Sequence, residues 1–394
     1  MPAWLLPDHT SDQLPAEALQ VERLRRRLID LYGLCGYALF QPPLLEYVES
    51  LRVQGADDLD RRSFRLTDPL SGRQLSLRAD ITPQAARVDA HLLGQSGVSR
   101  LCYAAPAIHA LPAGLLSSRE PLQVGCELFG HEGLDADLEI QELALASLDA
   151  AGLQNVHINL TDRAIFAALC SGDSGVTAVE GELLSALQSK DRPRLDRACE
   201  ALRPATRSAL QELVSLYGPV TGAEGVLDRA RRVLPQTDAV LASLNRLERV
   251  AQSALYSRHP HCQITIDLAD LQGWRYHNGI MFSAFVSGYP DALVRGGRYD
   301  GMGEAFGRSR AATGFSLELR ALSALSVPSH AGELPVAAPW EGDAELHEAV
   351  AHARAQGRAV VFLPESEFRE WSGPRMVRTS GLWQVAPAPS SSMN

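Results

Sequence analysis

Val21, Leu24, Leu28 and Leu31 recur at helical spacing, and Gly33 and Gly36 end the run before "YALFQPPLLEY", a strand entering a double proline. In "FRLTDPLSGRQLSLR" two short alternating runs flank Asp68-Pro69-Leu70-Ser71-Gly72, which predicts a hairpin. Its second strand leads into "RADITP", where Thr82 and Pro83 read as the N-cap and first residue of a helix over "QAARVDAHLL". Residues 101–130 alternate apolar and turn-rich pieces, and a Glu- and Leu-rich helix follows from Asp135 to Ala150. "VHINLTD" then sets Val156, Ile158 and Leu160 on one face of a strand.

From residue 164 to 255 the pattern is nearly all helical, broken by "SGDSG", "RPAT" and "YGPVTGAEG", and it reads as an insertion. Strand alternation returns in "CQITIDLADL" and continues through "GIMFSAFVSG" and "ALVRGGRYDG" to a last helical run near "GFSLELRAL". Antiparallel-looking strands interleaved with helices predict an α+β domain around one large sheet, over residues 1–327 with the insertion inside it. The segment "PSHAGELPVAAPWEG" reads as a Pro- and Gly-rich linker. Residues 328–394 comprise it and a small C-terminal α/β domain, in which Asp343 caps a helix carrying Leu346 and Val350, Gly357 ends it, and "RAVVFLP" is a strand. There is no internal repeat.

Charge narrows the partners. With 37 Lys+Arg against 47 Asp+Glu, the formal charge of -10 repels a polyphosphate backbone, so no nucleic acid is expected; "RLRRRL" and "DRARR" read as solvated helix faces. Six cysteines without a C-x-x-C pair read as reduced, mostly buried thiols. No stretch approaches the roughly 18 apolar residues of a membrane span, and the N-terminus lacks a basic segment followed by an apolar one. The expectation is a cytoplasmic protein with no membrane partner.

A free amino acid brings an ammonium that needs acceptors and a carboxylate that needs donors, and burying either unpaired is costly. Asp80, Thr82, Gln123 and Glu127 supply acceptors from two segments that a sheet could join, and Gln123 and Glu127, four apart, share a strand face. The competing structural reading pairs Asp80 with Arg78 or Arg87 and makes Glu127 a satisfied sheet carboxylate. "RHPHC" clusters His259, His261 and Cys262, but strand alternation would split them between faces, which argues against a metal. No phosphate loop of the G-x-x-x-x-G-K-[ST] kind and no G-x-S-x-G elbow is present.

Four stretches in order, "LRADITP", "LQVGCELFG", "RYHNGIMFSAF" and "LVRGGRYDGM", resemble histidyl-tRNA synthetase and its non-catalytic relative, the regulatory subunit of ATP phosphoribosyltransferase, over roughly residues 10–325. The resemblance implies a class II aminoacyl-tRNA synthetase-like core with a large antiparallel sheet flanked by helices. It implies that Asp80 and Thr82 hold the amino group of bound L-histidine with Gln123 beside them, that Glu127 takes the imidazole N–H, and that Tyr276 and Tyr299 line the side-chain slot. His277 stands where synthetases usually carry a second tyrosine.

The parts a synthetase uses to activate its amino acid are missing. Where an F-R-x-E element is due, the chain has "AIHALP", with Ile108 or His109 at the arginine; the arginine of R-G-L-D-Y-Y falls on Gln272; and "GFSLELRAL" puts Ala321, beside Arg320, at the last one. Removing one positioned donor from such a site costs about 100- to 1000-fold in rate, so losing several leaves no useful adenylation. The resemblance therefore implies a non-catalytic regulatory subunit of short-form ATP phosphoribosyltransferase, with no catalytic residues, cofactor or metal of its own. It would dimerise within a hetero-octamer with the short catalytic subunit, be needed for full activity, and carry feedback inhibition by histidine of the first step of histidine biosynthesis. Two alternatives stay open: a divergent histidyl-tRNA synthetase compensating with Arg320 and Arg275, and a synthetase-like tRNA sensor, against which the acidic charge and short tail weigh.

Overall fold

Alternation along the strand segments becomes two chemically distinct faces of one sheet. The computed structural model describes residues 4–51, 62–112, 114, 117–220, 222, 225–271, 277–326 and 334–388, in two units that divide between Val327 and Pro328. The strands of the first unit are β1 (Ala38–Leu39), β2 (Leu45–Tyr47), β3 (Arg65–Thr67), β4 (Gln74–Leu77), β5 (Ser99–Pro106), β6 (Leu122–Phe129), β7 (Val156–Asp162), β8 (Tyr217–Pro219), β9 (Cys262–Asp267), β10 (Ile280–Val286), β11 (Val294–Arg298) and β12 (Ala312–Glu318). Nine of them form a sheet in the order β1-β5-β6-β12-β11-β10-β7-β9-β8, and β2-β4-β3 form a small second sheet. The large sheet is antiparallel except where β1 meets β5 and β7 meets β9.

Register sorts the side chains. Val124 and Cys126 on β6, Phe315 and Leu317 on β12, Phe282 and Ala284 on β10, and Ile158 and Leu160 on β7 share one face. All are buried against the helices Pro15–Leu34 and Leu134–Ala150, which contribute Leu24, Leu28, Tyr32, Ile140, Ala144 and Leu148 to the same core. Each such aliphatic side chain contributes roughly 1.5–3 kcal/mol when fully buried. The opposite face carries polar and small residues in cross-strand rows: Glu127, Gly314, Gly297 and Thr161 lie in or beside one, and Gly125, Ser316, Arg295, Ser283 and Asn159 in the next. The site lies over these rows, and beside it on the same face Leu101, Phe129 and Ala312 join a smaller apolar cluster with Ala85, Ala86, Tyr299 and Met302.

Helices fill most of the chain between β7 and β9, from Arg163–Cys170 to Ala254–Arg258. The stretch "YGPVTGAEG", expected only to break helices, instead supplies β8, an edge strand on β9. Thr82 is not an N-cap. It is the first residue of the helix Thr82–Arg87, and Asp80 Oδ1 accepts from its N–H at 2.9 Å while its hydroxyl turns to Glu127. The helix then widens into i to i+5 turns over Val88–Leu93, closed by Gly94 at φ 58°.

The second unit places β13 (Val336–Pro339) between β14 (Val360–Leu363) and β15 (Arg375–Thr379), with β16 (Leu382–Ala386) outside β15. Asp343 caps the helix Ala344–Ala355, Leu346 and Val350 are buried, and Gly357 turns the chain at φ 81°. The part of "GELPVAAPW" expected to be linker is thus a central strand, all four residues buried; its prolines masked it by lying at or outside the strand ends. None of the six cysteines is in a disulfide. Among the described residues no helix is long and apolar enough to cross a membrane.

Candidate functional site

Three glycines open the polar face of the sheet. A Cβ on Gly125 would meet the Tyr103 hydroxyl at 2.6 Å, one on Gly297 would meet His277 Cδ2 at 3.0 Å, and one on Gly314 would overlap Glu127 Oε2. Each therefore holds a place for a neighbour's polar side chain. The sheet presents a phenol, an imidazole and a carboxylate where it would otherwise present methyl groups.

"GGRYDG" is legible residue by residue in these terms. Gly296 faces the apolar side and leaves room for the Phe282 ring, while Gly297 faces the site. Arg298 is buried and donates from Nε to both carboxylate oxygens of Asp137 at 3.1 Å, and from its terminal nitrogens to the carbonyls of His131 and Gly133 at 3.2 and 3.1 Å. It thus locks the N-terminal end of the helix Leu134–Ala150 to β11. Tyr299, next along, donates its hydroxyl to Glu127 Oε2. Asp300 accepts from the Ala312 N–H at 2.8 Å and closes the loop.

Glu127 is the centre of this cluster. Its side chain is 1 % exposed, and Oε1 accepts from Thr82 Oγ1 at 2.9 Å and from the Tyr103 hydroxyl at 3.1 Å. Burial pushes the carboxyl up to about 8, against the pull of the three hydroxyl donors, and the nearby charge of Asp80 adds to the rise. Tyr103 was missed by sequence reasoning, because its part rests on the pairing of β5 with β6 that sets it opposite Gly125. His277 is buried and packs edge-on to Tyr299, with ring centroids 6.4 Å apart. Tyr276 lies outside the described residues, as do Gln272 and Arg275.

Four residues from Glu127, Gln123 accepts from the Ile81 N–H at 3.2 Å and lines a cavity of about 410 Å³. Neither arginine proposed as a structural partner of Asp80 is directed to it: Arg78 donates to the carbonyls of Pro42, Pro43 and Pro106, and Arg87 to Glu46. The structure therefore joins Thr82, Glu127 and Tyr299 directly, with Asp80 held through the Thr82 backbone and Gln123 at the cavity wall.

The charge of that cavity, over the described residues, disfavours a triphosphate. Among the described residues Asp12, Glu17, Asp291 and Glu318 line it against Arg295 and Arg320, and Arg295 is paired with Asp291 at 2.5 Å. Glu318 is fixed as a helix cap, accepting from the N–H groups of Arg320 and Ala321, and also from Leu122. His109 occupies the wall where an arginine would be due. Its Nε2–H donates to the Ala79 carbonyl at 2.9 Å and Arg62 donates to its Nδ1 at 2.9 Å. Burial, reinforced by the Arg62 guanidinium, pushes His109 down to about 4, so the ring is neutral at pH 7.

A family model described as histidyl-tRNA synthetase matches residues 9–322, and one described as ATP phosphoribosyltransferase subunit HisZ C-terminal domain matches residues 334–386. Proteins named ATP phosphoribosyltransferase regulatory subunit from Ralstonia nicotianae and Cupriavidus taiwanensis are 48% and 47% identical to this chain, over 99% and 98% of it and 100% and 99% of their own lengths. Among solved structures, an ATP phosphoribosyltransferase regulatory subunit/histidyl-tRNA synthetase from Bacillus halodurans is similar with a TM-score of 0.77 at 25% identity, covering 92% of this chain and 93% of its own. A histidyl-tRNA synthetase from Nostoc sp. PCC 7120 shares the fold with a TM-score of 0.72 at 17% identity, over 98% and 97%.

Proposed function

The chain belongs to the family of ATP phosphoribosyltransferase regulatory subunits, and from that premise we propose that it binds L-histidine at the Glu127 cluster and passes that occupancy to a short-form catalytic subunit. It is a non-catalytic subunit of the enzyme complex. The observation that carries the reading is the pairing of a buried, hydroxyl-lined carboxylate with a neighbouring cavity whose charge and neutral His109 disfavour ATP.

In this reading the imidazole N–H of histidine donates to Glu127 in place of one of the hydroxyls now there. The ammonium meets Asp80, Thr82 and Gln123, and Tyr276, His277 and Tyr299 border the ring. Each group of the ligand then has a partner of opposite polarity, which offsets the cost of burying it. A pocket that changes its internal hydrogen bonds on binding is a two-state element, and histidine biases it by its differential affinity for the two states. Isothermal titration of the protein with histidine tests the assignment: a binding heat in the wild type that Glu127→Ala removes is expected, and undiminished binding by a folded Glu127→Ala protein overturns it.

Assembly follows the same premise. A second copy of the chain would cover apolar side chains that the small sheet leaves exposed, Leu45 on β2 and Leu66 on β3. The dimer so formed would sit with short catalytic subunits in a hetero-octamer. Its place is the cytoplasm, in keeping with six unpaired thiols.

A further inference from the structure

His259 follows the helix Ala254–Arg258, and a turn closed by the Cys262 N–H donating to its carbonyl at 2.9 Å leads directly into β9. Residues 259–261 are therefore a turn, and strand alternation does not govern where their side chains point. That removes the sequence argument against a metal. The two imidazoles meet edge to face, with centroids 5.7 Å apart, and both turn onto Asp149 in the last turn of the helix Leu134–Ala150.

His259 Nδ1 lies 3.2 Å from Asp149 Oδ2, and His261 Nε2 lies 3.1 Å from Asp149 Oδ1. The three groups offer ligand atoms all within 4.8 Å of one another. A tetrahedral zinc site with bonds of about 2.0–2.2 Å has ligand-to-ligand edges of about 3.3–3.6 Å, so the two His–Asp spacings need a small opening, and any spacing near the 4.8 Å bound a closing of about 1 Å, to hold the ion. Two imidazoles and one carboxylate are a donor set for zinc and its neighbours rather than for magnesium or calcium.

We propose that His259, His261 and Asp149 form a Zn²⁺ site with one coordination position open to solvent. Side-chain exposures of 15%, 33% and 39% leave an approach for the ion and for water. The ion joins the C-terminal end of a core helix to the turn where the long helical segment between β7 and β9 returns to the sheet. Its role is to clamp that return. The site is remote in sequence from the Glu127 cluster and stands whether or not histidine binds there.

The test uses the full-length protein, stripped of metal with a chelator and desalted, then titrated with CoCl₂ and, separately, with ZnCl₂. The expected result is one equivalent of Co²⁺ giving the visible absorption of a tetrahedral complex, displaced by Zn²⁺, with a rise in thermal midpoint on adding Zn²⁺. Changes to groups outside the ligand shell already cost about 10- to 100-fold in metal affinity, so His259→Ala and His261→Ala should each lower it by at least about 100-fold. Asp149→Asn, which keeps the side chain's shape, should weaken binding too and serves if a histidine variant fails to fold. Cys35→Ser and Cys262→Ser should bind as the wild type does. Absence of stoichiometric binding, retention in all three ligand variants, or loss in a cysteine variant instead would reduce the cluster to a hydrogen-bonded His-Asp-His group and overturn the proposal.

Discussion

Gly314 pairs directly with Glu127 across β12 and β6, and the space a methyl group would take there is filled by Glu127 Oε2. Gly314→Ala must displace the carboxylate or part the ladder. Overpacking of this kind costs about 1–3 kcal/mol. Urea unfolding should show a loss in that range, and titration calorimetry should show histidine binding abolished. Wild-type behaviour in both measurements would mean that the carboxylate is not fixed where the structure has it.

Glu127 makes stability depend on pH. Burial pushes its carboxyl up to about 8 in the folded protein from an ordinary value of 4.5, so between these values the folded state holds the extra proton and stability falls as pH rises. Glu127→Gln removes that dependence while keeping an acceptor for Thr82 and Tyr103. Thermal midpoints measured from pH 5 to 9 should place the variant above the wild type at the alkaline end and close to it at pH 5. A variant equally less stable at every pH would refute the burial argument.

Much of this site was readable from residue spacing, because a strand's two-residue period places Gln123 and Glu127 on one face whatever else the chain does. "GGRYDG" stood out through the family resemblance and not through spacing; the ladder supplies the reason, because adjacent glycines on a strand face opposite sides and here each makes room for a ring, Phe282 or His277. Tyr103 was not, since its part depends on Gly125 lying across the ladder, a register no local pattern shows. Thr82 was misread as a cap because capping chemistry and its long-range bond to Glu127 use the same hydroxyl. In "RHPHC" residues 259–261 form a turn, where strand alternation does not apply, and Val336–Pro339 was misread because proline signalled a linker.

Arg298→Ala leaves the Asp137 carboxylate buried without its guanidinium and frees the carbonyls of His131 and Gly133. Breaking a buried pair on one side costs about 3–5 kcal/mol. Chemical denaturation should show that loss, and Arg298→Lys should recover only part of it, because an ammonium cannot reproduce the planar fork. Full recovery with lysine would reduce the contact to its charge alone.

His109→Arg restores the residue type a synthetase would use, yet places a second guanidinium in a buried wall beside Arg62. Histidine-dependent ATP–pyrophosphate exchange should be absent from the wild type and remain absent in the variant, and the thermal midpoint should drop. Exchange in either protein would revive the divergent-synthetase reading.

Regulation through the histidine pocket is open to reconstitution. Purified chain is combined with a short-form catalytic subunit from the same source, and phosphoribosyl-ATP formation is followed with and without histidine, for the wild type and for Glu127→Ala. Activity should depend on adding this chain, histidine should inhibit the wild-type complex, and the substitution should weaken that inhibition while keeping activation. A correctly folded catalytic subunit that gains no activity from this chain, or inhibition unchanged by Glu127→Ala, would contradict regulation through the pocket.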